Sequence, residues 1–327
     1  MLKRLIVLLL PILEFILVAA ANIINYFTHK RIGMARHMVY MNQKWLAINN
    51  FEIYKMKKAG LTNQQVLNIL RYAENKEREV SLRDKAVVSE CRNPALFMEK
   101  YKRLDLPALK EEFELFPSFS ILDDIYPWDL CEIYDAPTLL FYQGNLNLLE
   151  MPKIAIVGSR DSSKQGNASV QKIIKELNNE LVIVSGLARG IDTVSHMAAL
   201  QNGGQTIAVI GTGLDVFYPK ANQKLQAYIG KNHLLLTEYG PGEQPLKFHF
   251  PERNRIIAGL CRGVVVAEAK MRSGSLITCE RAMEEGRDVF AIPGSILDGK
   301  SDGCHHLIQE GAKCITSGSD VLSEFDF

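Results

Sequence analysis

Residues Lys153–Arg160 read KIAIVGSR, and Leu181–Asp192 read LVIVSGLARGID. In each, a short apolar run (Ile154–Val157, Leu181–Val184) ends in Gly or Ser. An amphipathic stretch follows, at Val170–Leu177 and at Ile191–Leu200. An unbroken apolar run with no polar face is a strand buried on both sides. The pattern recurs at Thr206–Ile210, Leu234–Thr237, Val264–Ala267, Val289–Ile292 and Lys313–Thr316, with helical stretches between most of the runs. Strands of this kind separated by helices predict a doubly wound, mostly parallel α/β sheet covered on both faces. Leu139–Tyr142 reads as one more strand, leading to a turn at Gly144-Asn145.

Outward from this core, residues 51 to about 110 read as short helices. Thr62 with Gln65 forms a capping box before Val66, Leu67, Ile69 and Leu70. Ser81 with Asp84 is a second start signal, and Asn93 before Pro94 a third. The 327 residues are 47% hydrophobic and 23% charged, which excludes a disordered chain, a collagen-like fibre and a many-span membrane protein. Net charge is +1, and residues 151–327 hold 19 Lys/Arg against 19 Asp/Glu. A polyanion would therefore be held by a local cluster rather than by a general positive field.

The six cysteines form no CxxC pair, and their usage fits a reducing cytosol. Cys304-His305-His306 invites a metal reading, but adjacent histidines on a helix point in different directions, so no metal is expected. Leu5–Ile24 is an apolar stretch in a basic segment. Residues 1–45 are expected to be a non-native extension from a start assigned too far upstream, with a membrane anchor or a cleaved signal as the alternatives.

In doubly wound sheets, ligands bind beyond the carboxyl ends of the strands. Those ends carry Gly158-Ser159-Arg160, Ser185-Gly186-Leu187-Ala188-Arg189-Gly190, Gly211-Thr212-Gly213, Glu238-Tyr239-Gly240, Ser273-Gly274-Ser275 and Pro293-Gly294-Ser295. Small residues let backbone N–H groups approach a ligand, and a helix N-terminus favours an anion. The charges are in the wrong places for helix stability. Arg160, Arg189, Arg272 and Lys220 precede expected helix starts, and Arg253 and Arg255 fall in the first turn after Pro251. Each costs about 0.3–1 kcal/mol at most, and a phosphate-bearing ligand would turn that cost into a gain.

No G-x-G-x-x-G opens the first helix and no G-x-x-x-x-G-K-[ST] occurs, which argues against NAD and against a P-loop ATPase. Phe217, Tyr218, Tyr239, Phe248 and Phe250 lie near the expected rim, where bases could stack on them. Asp192 reads as an N-cap. Glu268 and Asp215 are the carboxylates available for catalysis, and a nucleotide-binding hydrolase using Glu268 is the alternative to a binding protein.

The ordered motifs G-S-R at 158–160, S-G-x-A-R-G-I-D at 185–192, G-x-G-x-D-x-x-Y-P-x-x-N at 211–222, F-P-x-R-N-R-I-I at 250–257 and S-G-S-L-I-T at 273–278 closely resemble the DNA-processing protein A family (DprA, or Smf) over Phe51–Phe327. The resemblance implies a helical, SAM-like module over 46–110 and an extended Rossmann-like domain for DNA binding and dimerisation over 111–327. It implies a cytoplasmic, non-enzymatic protein that binds single-stranded DNA without sequence preference. It also implies loading of RecA on incoming DNA during natural transformation, with no cofactor and no membrane. Similar proteins start near Leu46, and the winged helix some relatives carry has no counterpart before Phe327. Arg160 and Lys220 match the DNA-contacting positions best. The wider DNA set comprises Gly158, Ser159, Ser185, Gly186, Arg189, Gly190, Gly211, Gly213, Tyr218, Asn222, Phe250, Arg253, Asn254, Arg255, Ser273, Gly274 and Ser275. A homodimer is expected through Met283, His305 and Ile308.

Overall fold

The computed structural model of the protein describes residues 48–74, 79–271 and 273–325. The expected extension over residues 1–45, and Arg272, lie outside the described residues. Among the described residues, no helix is long and apolar enough to cross a membrane.

Among the described residues, five short helices come first: α1 (Asn50–Lys58), α2 (Asn63–Glu74), α3 (Leu82–Val88), α4 (Pro94–Lys102) and α5 (Leu106–Phe113). Their starts follow from side chains that satisfy the first free backbone N–H groups. Thr62 N donates to Gln65 Oε1 at 3.0 Å while Gln65 N donates to Thr62 Oγ1 at 3.4 Å, the expected reciprocal box. Ser81 and Asp84 do the same for α3, and Asn93 caps α4 with Pro94 at its first position. Such short helices are stabilised mainly by packing. Ile53, Met56, Val66 and Ile69 are fully buried among them.

The sheet is nine-stranded: β1 (Ser118–Ser120), β2 (Leu139–Gly144), β3 (Lys153–Val157), β4 (Val182–Ser185), β5 (Thr206–Ile210), β6 (Leu234–Thr237), β7 (Gly263–Val266), β8 (Asp288–Ala291) and β9 (Lys313–Cys314). Its spatial order is β1-β2-β6-β5-β4-β3-β7-β8-β9. All seven predicted parallel runs are strands, some shifted by a residue. β2 pairs antiparallel with β6 and with β1. At three residues, β1 is too short to show an alternation in sequence.

Helices connect the strands: α6 (Trp128–Cys131), α7 (Lys164–Glu176), α8 (Ile191–Gln201), α9 (Gln223–Asn232), α10 (His249–Leu260), α11 (Gly274–Glu284), α12 (Asp302–Gln309) and α13 (Gly318–Leu322). The period-2 pleat divides each central strand between the two faces. Ile154 and Ile156 pack with Val170, Ile173, Ile174 and Val321 on one face. Ala155 and Val157 pack with Ile256, Ile257, Leu276 and Leu307 on the other. That second layer runs on into the helical module, where Tyr54 meets Phe141 edge-on at 5.4 Å.

This order has one functional consequence. β3 is flanked by β4 on one side and by β7 on the other, so the chain winds away from β3 in both directions. The connections leaving β3 and β7 diverge and leave a crevice at the strands' carboxyl ends.

Candidate functional site

A crevice of about 390 Å³ opens at this switch point. Gly158, Ser159, Arg160 and Asp161 from the end of β3 form one wall. Lys270, Ser273, Gly274, Ser275 and Thr278, from the end of β7 and the first turns of α11, form the opposite wall. Phe250, Arg253 and Asn254 of α10, with Ala188 and Asp192, close the floor. A smaller annex of about 50 Å³ continues under Gly186, Arg189, Gly211, Tyr218 and Pro219, sharing Arg160, Ala188, Phe250 and Arg253 with the main crevice. Loops that are far apart in sequence thus converge on one edge.

The backbone approaches closely here. A Cβ on Gly190, which has φ +74°, would stand 2.2 Å from the Ser159 carbonyl, so the loops after β3 and β4 touch only because this residue has no side chain. Gly274 has open space around it at the start of α11, which Ser273 caps by accepting from Ser275 N at 3.3 Å.

Cations dominate the walls. Arg160 is exposed and lies over the Phe250 ring at 5.5 Å. Among the described residues no carboxylate pairs with Arg160, Arg189, Lys220 or Lys270. Arg253 is different, being 3% exposed. It donates to the Gly186 carbonyl at 2.6 Å, to the Val209 carbonyl, and through Nε to Asn254 Oδ1 at 3.1 Å. Burial, then the nearby Arg160, bring its guanidinium down to about 10, still charged at neutral pH. Arg253 therefore braces the strand ends and adds positive potential to the floor.

Asp192 is not the expected N-cap. Gly190 holds that position, while Asp192 sits in the first turn of α8 and accepts from Gly186 N and Ala188 N at 3.2 and 3.3 Å. Burial raises its carboxyl above the ordinary value, against the pull of Arg253 and the two amides.

Several predicted residues lie elsewhere. Arg255 points away from the crevice and is buried against Glu238 and Asp135 at the seam with the helical module. The first-turn placement failed because α10 begins at His249, before Pro251, which sets Arg253 and Arg255 in the second turn on opposite faces. Asn222 is a buried brace, donating to the Leu187 carbonyl at 2.9 Å and to Thr193 Oγ1 at 2.8 Å. Ser185 Oγ donates to the Ile156 carbonyl at 2.7 Å and ties β4 to β3. Gly213 faces Gly240 and Asp215 in a packed loop. Lys220 stands exposed just past Pro219, beside the annex.

The loop after β8 does not join the crevice. It lines a separate hollow with Glu268 and Ser163. Glu268 is 3% exposed, and its carboxylate accepts from Ser163 N at 3.1 Å and from Ser163 Oγ. It thereby fills the start of α7, the helix end expected to attract a phosphate, and the anion-favouring helix start passes to α11.

Lys270 was missed in the sequence. The signal was present, since it lies in the strand-end loop that also supplied Ser273–Ser275. Met283 is 48% exposed on α11. Ile308, on α12, is half-buried against the same core layer as α11. The half-buried His305 ring faces the Gly294 carbonyl, with Nε2 3.2 Å away. All six cysteines are free thiols, and burial pushes those of Cys261 and Cys304 up to about 12. Among the described residues, no cluster of three His, Cys, Asp or Glu could hold a metal ion.

Fold and crevice together define a class: a doubly wound α/β protein with a strand-end crevice suited to anions, fused to a helical module. Residues 118–326 match the family described as DNA recombination-mediator protein A, and residues 48–109 match its sterile alpha motif domain. The chain belongs to this DNA recombination-mediator protein A family.

It is 75% identical over 282 residues to DNA processing protein DprA of Streptococcus pneumoniae (strain ATCC BAA-255 / R6), covering 86% of this chain and 100% of that one. It is 47% identical to the Bacillus subtilis (strain 168) DprA over 201 residues, 61% of this chain and 68% of that one. The crystal structure of the S. pneumoniae protein superposes with a TM-score of 0.84 at 76% identity, covering 86% of this chain and 99% of the other. DNA processing protein A from Helicobacter pylori, whose structure is described for its single-stranded DNA binding mode, matches at TM-score 0.58 and 30% identity over 64% of this chain and 96% of its own.

Proposed function

We propose that this protein binds single-stranded DNA, without sequence preference, in the crevice between the ends of β3 and β7. The observation that carries the reading is the set of cations without carboxylate partners among the described residues, Arg160 and Lys270 in the crevice that the start of α11 lines and Arg189 in the adjoining annex. Phosphodiester oxygens would meet guanidinium and ammonium groups on one wall and backbone N–H groups on the other. The single-stranded DNA binding described for the H. pylori relative supports it.

The protein acts without catalysis, in the cytoplasm, and hands the strand to RecA during natural transformation. Residues 46–110 form the helical module, and 111–327 carry DNA binding and dimerisation. Two copies join near Met283, His305 and Ile308, which sets two crevices on one strand and raises affinity through effective concentration. The hydrolase alternative loses support because Glu268, its proposed carboxylate, is already committed to Ser163.

Fluorescence anisotropy on a labelled oligothymidylate tests the crevice. Arg160→Ala and Lys220→Ala should each weaken binding and lower the salt dependence by about 0.7 per lost phosphate contact, with the fold intact. Unchanged binding in both variants removes the crevice reading. A strand-exchange assay with RecA on single strands pre-coated by a single-strand binding protein tests the loading step. Sedimentation of Met283→Glu and Ile308→Glu tests the dimer. Turnover of nucleoside monophosphates that is lost in Glu268→Gln would instead favour the enzyme.

A further inference from the structure

α9 leads from the annex, at the carboxyl edge of the sheet, back to the start of β6, and its two faces differ. Gln226 and Ile229 are buried where the helix packs on the sheet, while Lys224, Tyr228 and Lys231 are exposed. Residues three, four and seven apart share one face of a helix, so these exposed side chains form a stripe two turns long. Lys220 is exposed in the turn between Pro219 of the annex and the helix. From Val216 to Thr237 the chain carries three lysines and no Asp or Glu. Among the described residues none of these lysines pairs with a carboxylate. Lys224 is also the second residue of α9, where the helix dipole disfavours a cation. Hydrogen bonds fix the helix to the annex. Asn222 Nδ2 donates to the Leu187 and Ala188 carbonyls at 2.9 and 3.3 Å, in the loop that gives the annex Ala188 and Arg189. Gln226 Nε2 donates to the Val216 carbonyl at 3.2 Å, in the loop that gives it Tyr218.

We infer that the exposed face of α9 is a phosphate track, along which the single strand continues once it has left the crevice through the annex. The inference rests on the single-stranded DNA reading above and adds where the strand goes beyond the crevice. A flexible polyanion held at Arg160 and Arg189 meets Lys220 next, then Lys224 and Lys231, and the segment offers no carboxylate to repel it. Lys224 and Lys231 stand about 10 Å apart along the helix axis, so each takes a different phosphate of one strand. Lysine holds phosphate as a point charge on a flexible stem, so the track reads no sequence. An acidic protein is the other ligand such a stripe would admit. The strand is favoured because the stripe is anchored to the annex loops and extends their set of unanswered cations.

The test measures the full chain's affinity for a ladder of oligothymidylates of increasing length, across a salt series. Once the oligomer is long enough to leave the crevice, the wild-type salt slope should steepen by about 1.4, or about 0.7 for each of the two added phosphate contacts. Lys224→Gln with Lys231→Gln should abolish this step. Long oligomers should then bind about 25-fold more weakly at about 0.1 M salt, the factor such a slope gives relative to 1 M, and short ones as in the wild type. Lys224→Arg with Lys231→Arg keeps the charges and should retain the step. Lys175→Gln, near the exposed end of α7, lowers the net charge away from the stripe and should change neither quantity. If the double glutamine variant binds long oligomers as the wild type does, the track is overturned and the crevice stands. An equal loss on short and long oligomers, with melting temperatures unchanged, also overturns it, because the lysines then act as a general field. If the wild type binds no oligomer of the ladder, the crevice reading and the track fall together.

Discussion

Arg253 and Arg255 are two residues apart on α10, both are buried, and they serve different sites. Arg253 braces the crevice floor through two backbone carbonyls and Asn254, with no carboxylate in direct contact. Arg255 lies in the seam under the helical module, where Glu238 also takes Lys57 at 3.0 Å and Asn63 at 2.7 Å. Lys58 joins the same seam through Glu112 at 2.9 Å and Glu243 at 3.4 Å. The seam therefore answers each of these positive charges with a carboxylate. The crevice leaves Arg160, Arg189 and Lys270 unanswered. Counting cations does not separate the two regions, and counting the carboxylates within reach of them does.

The largest effect expected is at the seam. Glu238→Ala leaves Arg255 with Asp135 alone and Lys57 with the Asn63 amide oxygen alone, and should cost about 3–5 kcal/mol in urea denaturation, while Glu238→Leu with Arg255→Leu should recover most of it. The pH dependence follows from the same pair. Burial alone would raise the Glu238 carboxyl, but Lys57, Arg255 and the hydrogen bond from Asn63 outweigh it and hold it below the ordinary 4.5. Its stabilisation is complete above the unfolded value and is lost as pH falls through the lower folded value. Glu238→Gln should be less sensitive to acid over that window. If Glu238→Ala costs nothing, the seam is not held by charge.

At the crevice, Arg160→Ala should cost about 1.5–3 kcal/mol of DNA affinity and almost no stability, the reverse of Glu238→Ala. An equal loss in both quantities would erase the distinction between the regions. His196 lines neither region; it is fully buried, and its Nδ1 contacts Thr206 Oγ1 at 2.7 Å while Nε2 has no partner among the described residues. Burial, then Arg253, bring this imidazole down to about 3. The unfolded chain gains a proton near pH 6.5 that the fold refuses until about pH 3. Stability from this group therefore declines as pH falls through that window, by about 1.4 kcal/mol per unit. His196→Gln should flatten that slope in urea midpoints taken from pH 4 to 7. The smallest effect belongs to the helical module, where Ser81→Ala removes a cap and should cost about 1 kcal/mol with DNA affinity unchanged.

Much of the fold was legible because its strands are short, buried on both faces and separated by helices. The caps at Thr62, Ser81 and Asn93 were legible because they act within four residues. The crevice was legible as a set of loops and less so as a set of side chains. Arg255, Asn222 and Ser185 carry the residue types of a phosphate site yet serve as braces, and Lys270 serves the crevice from the same loop as Ser273. Residue type reports what a side chain can bond to, and only its neighbours decide what it does bond to.

Hydropathy period and local hydrogen bonding, both short-range, were enough for the sequence by itself to determine the parallel core, the helical module and the edge on which a ligand would lie. The tertiary structure alone decided that β3 lies between β4 and β7, that α10 begins before Pro251, and that Glu268 closes the start of α7. Each of these depends on contacts between residues far apart in the chain. Side chains two residues apart on an α-helix diverge by about 200°, which is how Arg255 faces the seam and Arg253 the crevice.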